Sequence, residues 1–248
     1  MRSMTAGLRG AETRAGLLGA AAVLLLLTGC GTMHLTPVPD DMPPPAGAPL
    51  PPIDIDAPGR AALQLKPWAE AQSDSTGIPV TALEAYGYAA AVMAQSKPEC
   101  GIRWTTLAGI ASVESHHGSH GGSHLNDDGE VTPPIRGLAL DGSPGRAKIV
   151  DTDASTPDNT VYVRAMGPFQ FIPETWKRWG VDANGDGVVD PDNIDDAALT
   201  AARYLCAMGG DLTGAPGWQK ALLTYNQSQE YMNTVRYRAA AYSVGRRA

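Results

Sequence analysis

The chain has 248 residues and a formal net charge of −7, with 26 acidic residues against 19 basic ones. An acidic chain without a basic stripe is a poor candidate for nucleic-acid binding. The sequence also contains no Walker loop, no G-x-G-x-x-G and no G-x-S-x-G, so neither a phosphate ligand nor serine hydrolysis is expected.

The first thirty residues are typical of an export signal. Three arginines precede an apolar run over 17–27, and the small residues Thr28 and Gly29 then lead to Cys30. The run is shorter than the roughly 20 apolar residues of a membrane-spanning helix, which favours a cleaved signal peptide. The segment "LTGC" resembles a lipobox, which predicts a signal peptide over 1–29 and a lipid on Cys30. The alternative is a secreted protein with a cysteine at this place by chance.

A proline-dense stretch follows, over residues 36–58. Such a stretch favours extended polyproline II and builds no core of its own. The sequence therefore predicts a spacer over 30–59 that holds a globular body, 60–248, away from the membrane.

The body is expected to be mainly α-helical, because alternating β-branched runs are scarce. Prolines, polar caps and glycines mark helix ends. We predict helices from Pro79 to about Lys97, from Trp104 to about Glu114, from Pro173, from an Asp196 cap to Gly209, from Pro216 and from a Ser228 cap. The glycine-rich segment 118–159 is too long for an ordinary connection and is expected to be functional or to carry small elements.

Two cysteines remain after the lipidation motif, Cys100 and Cys206. In an oxidising compartment they are expected to pair. The bond would close a loop of about a hundred residues, which corresponds to roughly 4–5 kcal/mol in the chain-entropy description. Two buried thiols are the alternative.

One carboxylate, Glu114, falls on the apolar face of its helix, in line with Trp104, Leu107 and Ile110. Burial raises the pKa of a carboxylic acid, and the negative end of a helix acts in the same direction. Glu114 is therefore a candidate general acid. The alternative is a glutamate that bends out to solvent at a frayed helix end.

Two other segments carry polar groups among aromatic ones. "RAMGPFQFIPETWKRWG" surrounds Gln170, and "LLTYNQSQEYMNTV" places Tyr225 beside Asn226. An acid, an amide and a Tyr-Asn pair among aromatic residues suit the binding of a sugar polymer.

Four motifs together resemble those of a known family. "VES", "AMGPFQFIPETW", "DANGDGVVDPDNIDDAALTAARYL" and "TYNQS" occur in the order found in bacterial lytic murein transglycosylases. The resemblance is to the membrane-bound lytic transglycosylase B type, and it covers about 100–242. It implies a goose-lysozyme-like helical fold with long loops and an EF-hand-like loop.

The resemblance also implies roles for individual residues. Glu114 matches the family's single catalytic acid/base, and Tyr225 matches its active-site tyrosine. The implied substrate-binding residues are Gln170, Tyr225, Asn226, Met166 and Phe169. Relatives often read "SYAGAMG", with the serine bonded to the catalytic glutamate, whereas this chain reads "VYVRAMG" and has Val161 there. What orients Glu114 is left open, with Thr160 or a loop residue as candidates.

The implied reaction is cleavage of the bond between N-acetylmuramic acid and N-acetylglucosamine in peptidoglycan, with closure of a 1,6-anhydro ring. Most glycosidases use two carboxylates, and a second acid from the long loop would give lysozyme-type hydrolysis instead. The loop acids are Asp127, Asp128, Glu130, Asp141 and Asp151. Catalytically silent wall binding, in line with Val161, and calcium-dependent surface adhesion are further alternatives.

"DANGDGVVDPDN" fits most of the EF-hand pattern. The predicted calcium ligands are Asp182, Asn184, Asp186, the carbonyl of Val188, and Asn193 at the closing position, with Asp190 also in the loop. The calcium would stabilise the fold, and no cofactor is expected in catalysis. A tight turn that binds nothing is the alternative.

The segment after Glu114 holds four histidines, His116, His117, His120 and His124. Zinc needs convergent ligands, but glycines at 118, 121 and 122 indicate that the helix has ended. We expect solvated loop histidines.

Overall fold

The structure is a computed structural model that describes residues 36–157 and 159–248. The predicted signal peptide and Cys30 lie outside these residues. In the described part of the chain, no helix has the length and apolar character needed to span a bilayer.

Seven α-helices build the described part of the chain, which confirms the prediction of a mainly helical fold. They are α1 (Lys66–Thr76), α2 (Val80–Ser96), α3 (Trp104–Ser115), α4 (Pro173–Trp179), α5 (Ile194–Gly209), α6 (Ala215–Tyr225) and α7 (Gln229–Ser243). Two short antiparallel strands, β1 (His124–Leu125) and β2 (Val131–Thr132), form a hairpin after α3.

Helix α3 lies in the middle of the core, packed against α7, α2 and α5. Its side chains from Trp104 to Ser112 are buried, as expected for a helix that is apolar on all sides. Gly109 allows the close approach of α7, because a Cβ at this position would lie 2.8 Å from the carbonyl oxygen of Val235. The end of α3 is therefore held deep in the molecule.

The predicted start of α5 is wrong by three residues, since the cap is Asn193 and not Asp196. Asn193 caps the helix, and its side-chain oxygen accepts from the backbone N–H of Asp195 at 2.9 Å. Asp196 lies inside the first turn, where its carboxylate accepts from the backbone N–H groups of Ala183 and Asp190. Asparagine and aspartate both cap helices well, so the sequence alone did not separate them.

The predicted disulfide is confirmed. Cys100 pairs with Cys206 of α5 across 106 residues, with the Cα atoms 5.5 Å apart. Both residues are fully buried. The bond joins the chain just before α3 to α5, on which α2 and α6 also pack.

The proline-rich stretch lies on the globular body, in contrast to the predicted spacer over 30–59. Ala48 accepts a hydrogen bond from Trp104 Nε1 at 3.0 Å, and Ile55 accepts one from the Tyr88 hydroxyl at 3.0 Å. Apolar residues of the stretch also pack on the core, namely Met42, Leu50, Ile53, Ile55 and Ala57. Extended prolines leave carbonyl oxygens free to accept hydrogen bonds, and the interspersed apolar side chains provide the contact.

The long loop after α3 carries small elements, one of the two expectations for it. Besides β1 and β2, three residues bond in a ring of backbone contacts. Leu140 donates to Val163 at 2.8 Å, Val163 donates to Ile149 at 3.0 Å, and Ile149 donates to Leu140 at 2.8 Å. These bonds hold Val163, two residues before the "AMGPFQF" segment, in a fixed position.

Candidate active site

Glu114 lies in the last turn of α3 and is half-buried. The hydroxyl of Tyr231, near the start of α7, donates to its Oε1 at 2.6 Å. Burial raises the pKa of Glu114 to about 7, and the hydrogen bond from Tyr231 opposes that rise. An acid with this pKa holds its proton in part of the molecules at neutral pH and can also act as a base.

Aromatic rings form a wall beside this carboxylate. The rings of Tyr225 and Tyr231 are stacked, with centroids 6.5 Å apart and planes 7° apart. The Tyr225 hydroxyl donates to the carbonyl of Phe169 at 2.6 Å. Burial raises the pKa of Tyr225 well above its usual value, and the nearby charge of Glu114 acts in the same direction. Tyr225 is therefore a neutral hydrogen-bonding group.

The "AMGPFQF" segment forms a tight turn, with backbone bonds in both directions between Met166 and Phe171. Gly167 has φ +69°, and a Cβ there would lie 1.7 Å from the carbonyl oxygen of Pro191. Gln170 also has a left-handed backbone, with φ +49°, which is unusual for a residue other than glycine. Its Nε2 donates to the Gly167 carbonyl at 2.8 Å. Strained backbones of this kind are concentrated at functional sites.

Ser115 connects the end of α3 to this turn. Its buried hydroxyl donates to the carbonyl of Pro168 at 2.7 Å and accepts from the backbone N–H of Gly118 at 2.9 Å. The residue after the candidate acid therefore anchors the helix end to the segment that carries Gln170.

A cavity of about 160 Å³ opens on the turn and the aromatic wall. It is lined by Gln170, Phe171, Ile172, Thr175, Tyr204, Thr224 and Tyr225. The predicted residues Gln170 and Tyr225 thus share one cavity, and Tyr225 lies within the electrostatic reach of Glu114.

The remaining predicted substrate-binding residues differ in their exposure. Asn226, directly after α6, is exposed, and Met166 is half-buried. Phe169 is fully buried, with its ring edge on Tyr86 at 5.9 Å between centroids. The prediction that the Phe169 side chain binds substrate is therefore wrong, because its ring belongs to the core and only its carbonyl meets Tyr225.

The group that orients Glu114 is Tyr231, which the sequence analysis did not single out. Val161 is half-buried in the long loop, where its backbone bonds to Ser155 and Asp151. The sequence signal that could have indicated Tyr231 is its place six residues after Tyr225, in the first turn of a helix capped by Ser228.

The loop acids do not contact Glu114 among the described residues. Asp127, Asp128 and Glu130 line a separate cavity next to the EF-hand-like loop. Asp141 pairs with Arg146 at 3.6 Å, and Asp151 accepts from nearby backbone N–H groups. The structure brings one carboxylate to the aromatic wall.

The expectation of solvated histidines is wrong for one of the four. His117 is 7% exposed, and its ring lies between the hydroxyls of Tyr86 and Tyr242. His116, His120 and His124 are exposed. In the described part of the chain, no group of three His, Cys, Asp or Glu side chains is placed to hold a metal ion.

The EF-hand-like loop forms the turn that its sequence predicts, with its oxygens bonded internally. Asp182 accepts from the N–H groups of Gly185 and Gly187 at 2.7 and 2.8 Å. Asn193 does not fit as a calcium ligand, because its oxygen caps α5 and its Nδ2 donates to Glu130 at 2.9 Å. Asp182, Asn184, Asp186 and the Val188 carbonyl remain at the predicted spacing.

Comparison with known proteins agrees with the motifs. The mainly helical fold is of the class that the resemblance implies. Residues 147–214 match the transglycosylase SLT domain family. This part of the chain carries the domain, as the motifs predicted. The matched residues include Gln170 and the EF-hand-like loop, whereas Glu114 and Tyr225 lie outside them.

One solved structure is similar to this chain, the Escherichia coli lytic transglycosylase Slt35 in complex with bulgecin A. The alignment covers 75% of this chain and 80% of that one, at 18% identity and a TM-score of 0.42. No curated protein matches the chain.

Substitution of Tyr231 by Phe is expected to raise the pKa of Glu114 above about 7. The hydroxyl stabilises the ionised carboxylate, and a bond to a charged group contributes roughly 1.5–3 kcal/mol. If protonated Glu114 is the active form, the alkaline limb of the kcat/KM profile moves to higher pH. NMR titration of the Glu114 carboxyl carbon measures the pKa directly. A pKa that stays the same or falls would contradict this account of the site.

Proposed function

We propose that Glu114 is the sole acid/base of a lytic transglycosylase that cleaves between N-acetylmuramic acid and N-acetylglucosamine and leaves 1,6-anhydro ends, as part of cell-wall remodelling. The observation that carries the proposal is one half-buried carboxylate, with a pKa raised to about 7, beside an aromatic wall and the Gln170 turn. No second carboxylate of the described residues contacts it.

In the first step, protonated Glu114 donates its proton to the glycosidic oxygen. That oxygen leaves with the N-acetylglucosamine residue, and positive charge develops at C1 of the muramic sugar. The stacked rings of Tyr225 and Tyr231 supply an apolar surface for the sugar face. The Tyr231 hydroxyl stabilises the carboxylate that Glu114 becomes, because it already donates to Oε1.

In the second step, the Glu114 carboxylate removes the proton from the C6 hydroxyl of the same sugar. The C6 oxygen attacks C1 and closes the 1,6-anhydro ring, and Glu114 ends the cycle protonated. No water is consumed, and the substrate supplies its own nucleophile. A pKa near 7 suits this double role, since both protonation states are accessible at neutral pH.

Glu114→Gln is expected to lower the release of anhydro-muropeptides from purified sacculi by at least about a hundredfold, the lower end of the usual contribution of general acid–base catalysis. The glutamine keeps the shape and an oxygen for Tyr231 but cannot exchange a proton. Mass spectrometry of the released fragments identifies the ends.

Glu230→Gln provides a matched control, because Glu230 is exposed in the neighbouring helix α7. Its activity is expected to equal that of the wild type. Fragments heavier by one water would instead assign lysozyme-type hydrolysis, and wall binding without any release would assign a silent wall-binding protein.

We also propose that the protein is exported through residues 1–29 and anchored to the envelope by a lipid on Cys30. The support is the lipobox-like sequence after the apolar run. Acylation adds about 0.8 kcal/mol of membrane affinity per buried CH₂. Wild type is therefore expected to enter the detergent phase in a phase-partition assay, and Cys30→Ala to stay in the aqueous phase. Equal partition of the wild type and Cys30→Ala would contradict the proposed lipid on Cys30.

We further propose that the EF-hand-like loop binds calcium weakly through Asp182, Asn184, Asp186 and the Val188 carbonyl, as a structural ion. The support is the ligand spacing, and the internal hydrogen bonds already hold the loop in its turn. Calcium at a hundred times its Kd would stabilise the fold by about 2.7 kcal/mol. The melting temperature is expected to rise with calcium in the wild type but not in Asp186→Ala. Identical melting temperatures with calcium and with chelator would contradict calcium binding and favour a tight turn that binds no ion.

A further inference from the structure

Behind the candidate acid, a row of hydrogen-bonded polar side chains, all buried except the half-buried Arg238, joins α2, α3 and α7. We call it the histidine chain, and it consists of Tyr86, His117, Tyr242, Ser112 and Arg238. The ring of His117 is bonded to Tyr86 of α2 through Nδ1 at 3.0 Å and to Tyr242 of α7 through Nε2 at 3.1 Å. Tyr242 in turn donates to Ser112 of α3 at 2.8 Å.

The directions of these hydrogen bonds follow from the number of protons. A tyrosine hydroxyl has one proton, and that of Tyr242 goes to Ser112. His117 therefore donates from Nε2 to Tyr242 and accepts at Nδ1 from Tyr86. Arg238 completes the chain by donating to the Ser112 hydroxyl at 2.6 Å.

His117 stays neutral in this position. Burial lowers its pKa to about 3, and the charge of Arg238 acts in the same direction. Its ring therefore does not carry a catalytic proton at neutral pH. A fixed neutral imidazole that bridges two helices is instead a structural connector.

The backbone at this place needs such a connector. His116 and His117 both have left-handed conformations, with φ of 50° and 58°, which cost residues other than glycine roughly 1 kcal/mol or more each. The turn ends α3 directly after Glu114 and Ser115, and the N–H of His117 donates back to Ala111 at 3.1 Å. The hydrogen bonds of the His117 ring hold the backbone of His116 and His117 in this turn.

We propose that the histidine chain positions Glu114, with His117 as its central positioning residue, so that the carboxylate stays in its half-buried place against Tyr231. This inference rests on the proposed function of Glu114. Ser112 and Glu114 project from opposite sides of α3, since side chains two positions apart on a helix point in directions that differ by about 200°. Helix α7 bonds to both, through Tyr242 and Tyr231.

The groups that face the two ends can be named. Tyr231 of α7 faces Glu114, and Tyr225 of α6 lies close enough to respond to its charge. His117 meets Tyr86 of α2 and Tyr242 of α7, with the charge of Arg238 nearby. Without the histidine chain, the end of α3 becomes more mobile and the Glu114 carboxylate becomes more exposed to water. Its pKa therefore falls from about 7 towards its ordinary value.

The test uses the full-length protein with Tyr242→Phe and His117→Phe. Tyr242→Phe removes the central hydroxyl and little volume. The expected result is a drop in kcat on purified sacculi of about tenfold, since small misplacements of a catalytic group have effects of this order or larger. KM is expected to stay within about twofold, and the alkaline limb of kcat/KM to move to lower pH.

Tyr88→Phe is the matched control. It removes a tyrosine hydroxyl bond from the same helix as Tyr86, but that bond goes to Ile55 in the proline-rich stretch. A comparable loss in melting temperature with an unchanged pH profile is expected. If the histidine-chain variants lose stability only, as this control does, the positioning role is overturned.

NMR titration of Glu114 in the wild type and Tyr242→Phe separates this inference from the proposed function. A lower pKa in the variant supports positioning even if the wild type releases no anhydro-muropeptides, an outcome that would remove the proposed function alone. An unchanged pKa together with an unchanged kcat overturns the positioning role while the proposed function stands.

Discussion

Removal of one carboxylate from water is the constraint on which the site depends. Glu114 keeps a pKa near 7 because α3, which carries it, is buried from Trp104 to Ser112 and ends inside the molecule. A helix buried in this way usually ends where its backbone groups meet solvent or a cap. Here the end is held by Ser115, which bonds to the Gln170 turn, and by the left-handed residues that follow.

Helix α7 is the partner that makes this burial possible. It approaches α3 closely at Gly109, where a side chain would meet the Val235 carbonyl. On either side of this contact, α7 sends one tyrosine to each side of the end of α3, Tyr231 to Glu114 and Tyr242 to Ser112. The same helix therefore sets both the electrostatics of the acid and the position of the segment that carries it.

The sequence was sufficient for those features that depend on local pattern. Three features could be read from the sequence: the position of Glu114 on an apolar helix face, the helix start at Pro173 and the Ser228 cap, and the pairing of two cysteines. Tyr231, His117 and the place of the proline-rich stretch could not. Their roles depend on contacts between residues more than thirty positions apart, such as Tyr88 with Ile55 and Tyr231 with Glu114. Neither a glycine-rich loop nor a proline-rich composition shows that a ring or a backbone carbonyl will meet a partner in the core.

The buried acid has a consequence for stability. A pKa of 4.5 in the unfolded chain and about 7 in the folded one means that the folded state binds the proton more tightly, by roughly 3 kcal/mol at 1.36 kcal/mol per pKa unit. That stabilisation is fully present below pH 4.5 and is lost as the pH rises to 7. Asp196 acts in the same direction, because burial raises its pKa also to about 7. These two groups therefore stabilise the fold least where they are ionised, and the disulfide, which does not titrate, maintains it there. The proposed mechanism needs this kind of support, because the ionised Glu114 that its second step requires is the state that burial disfavours.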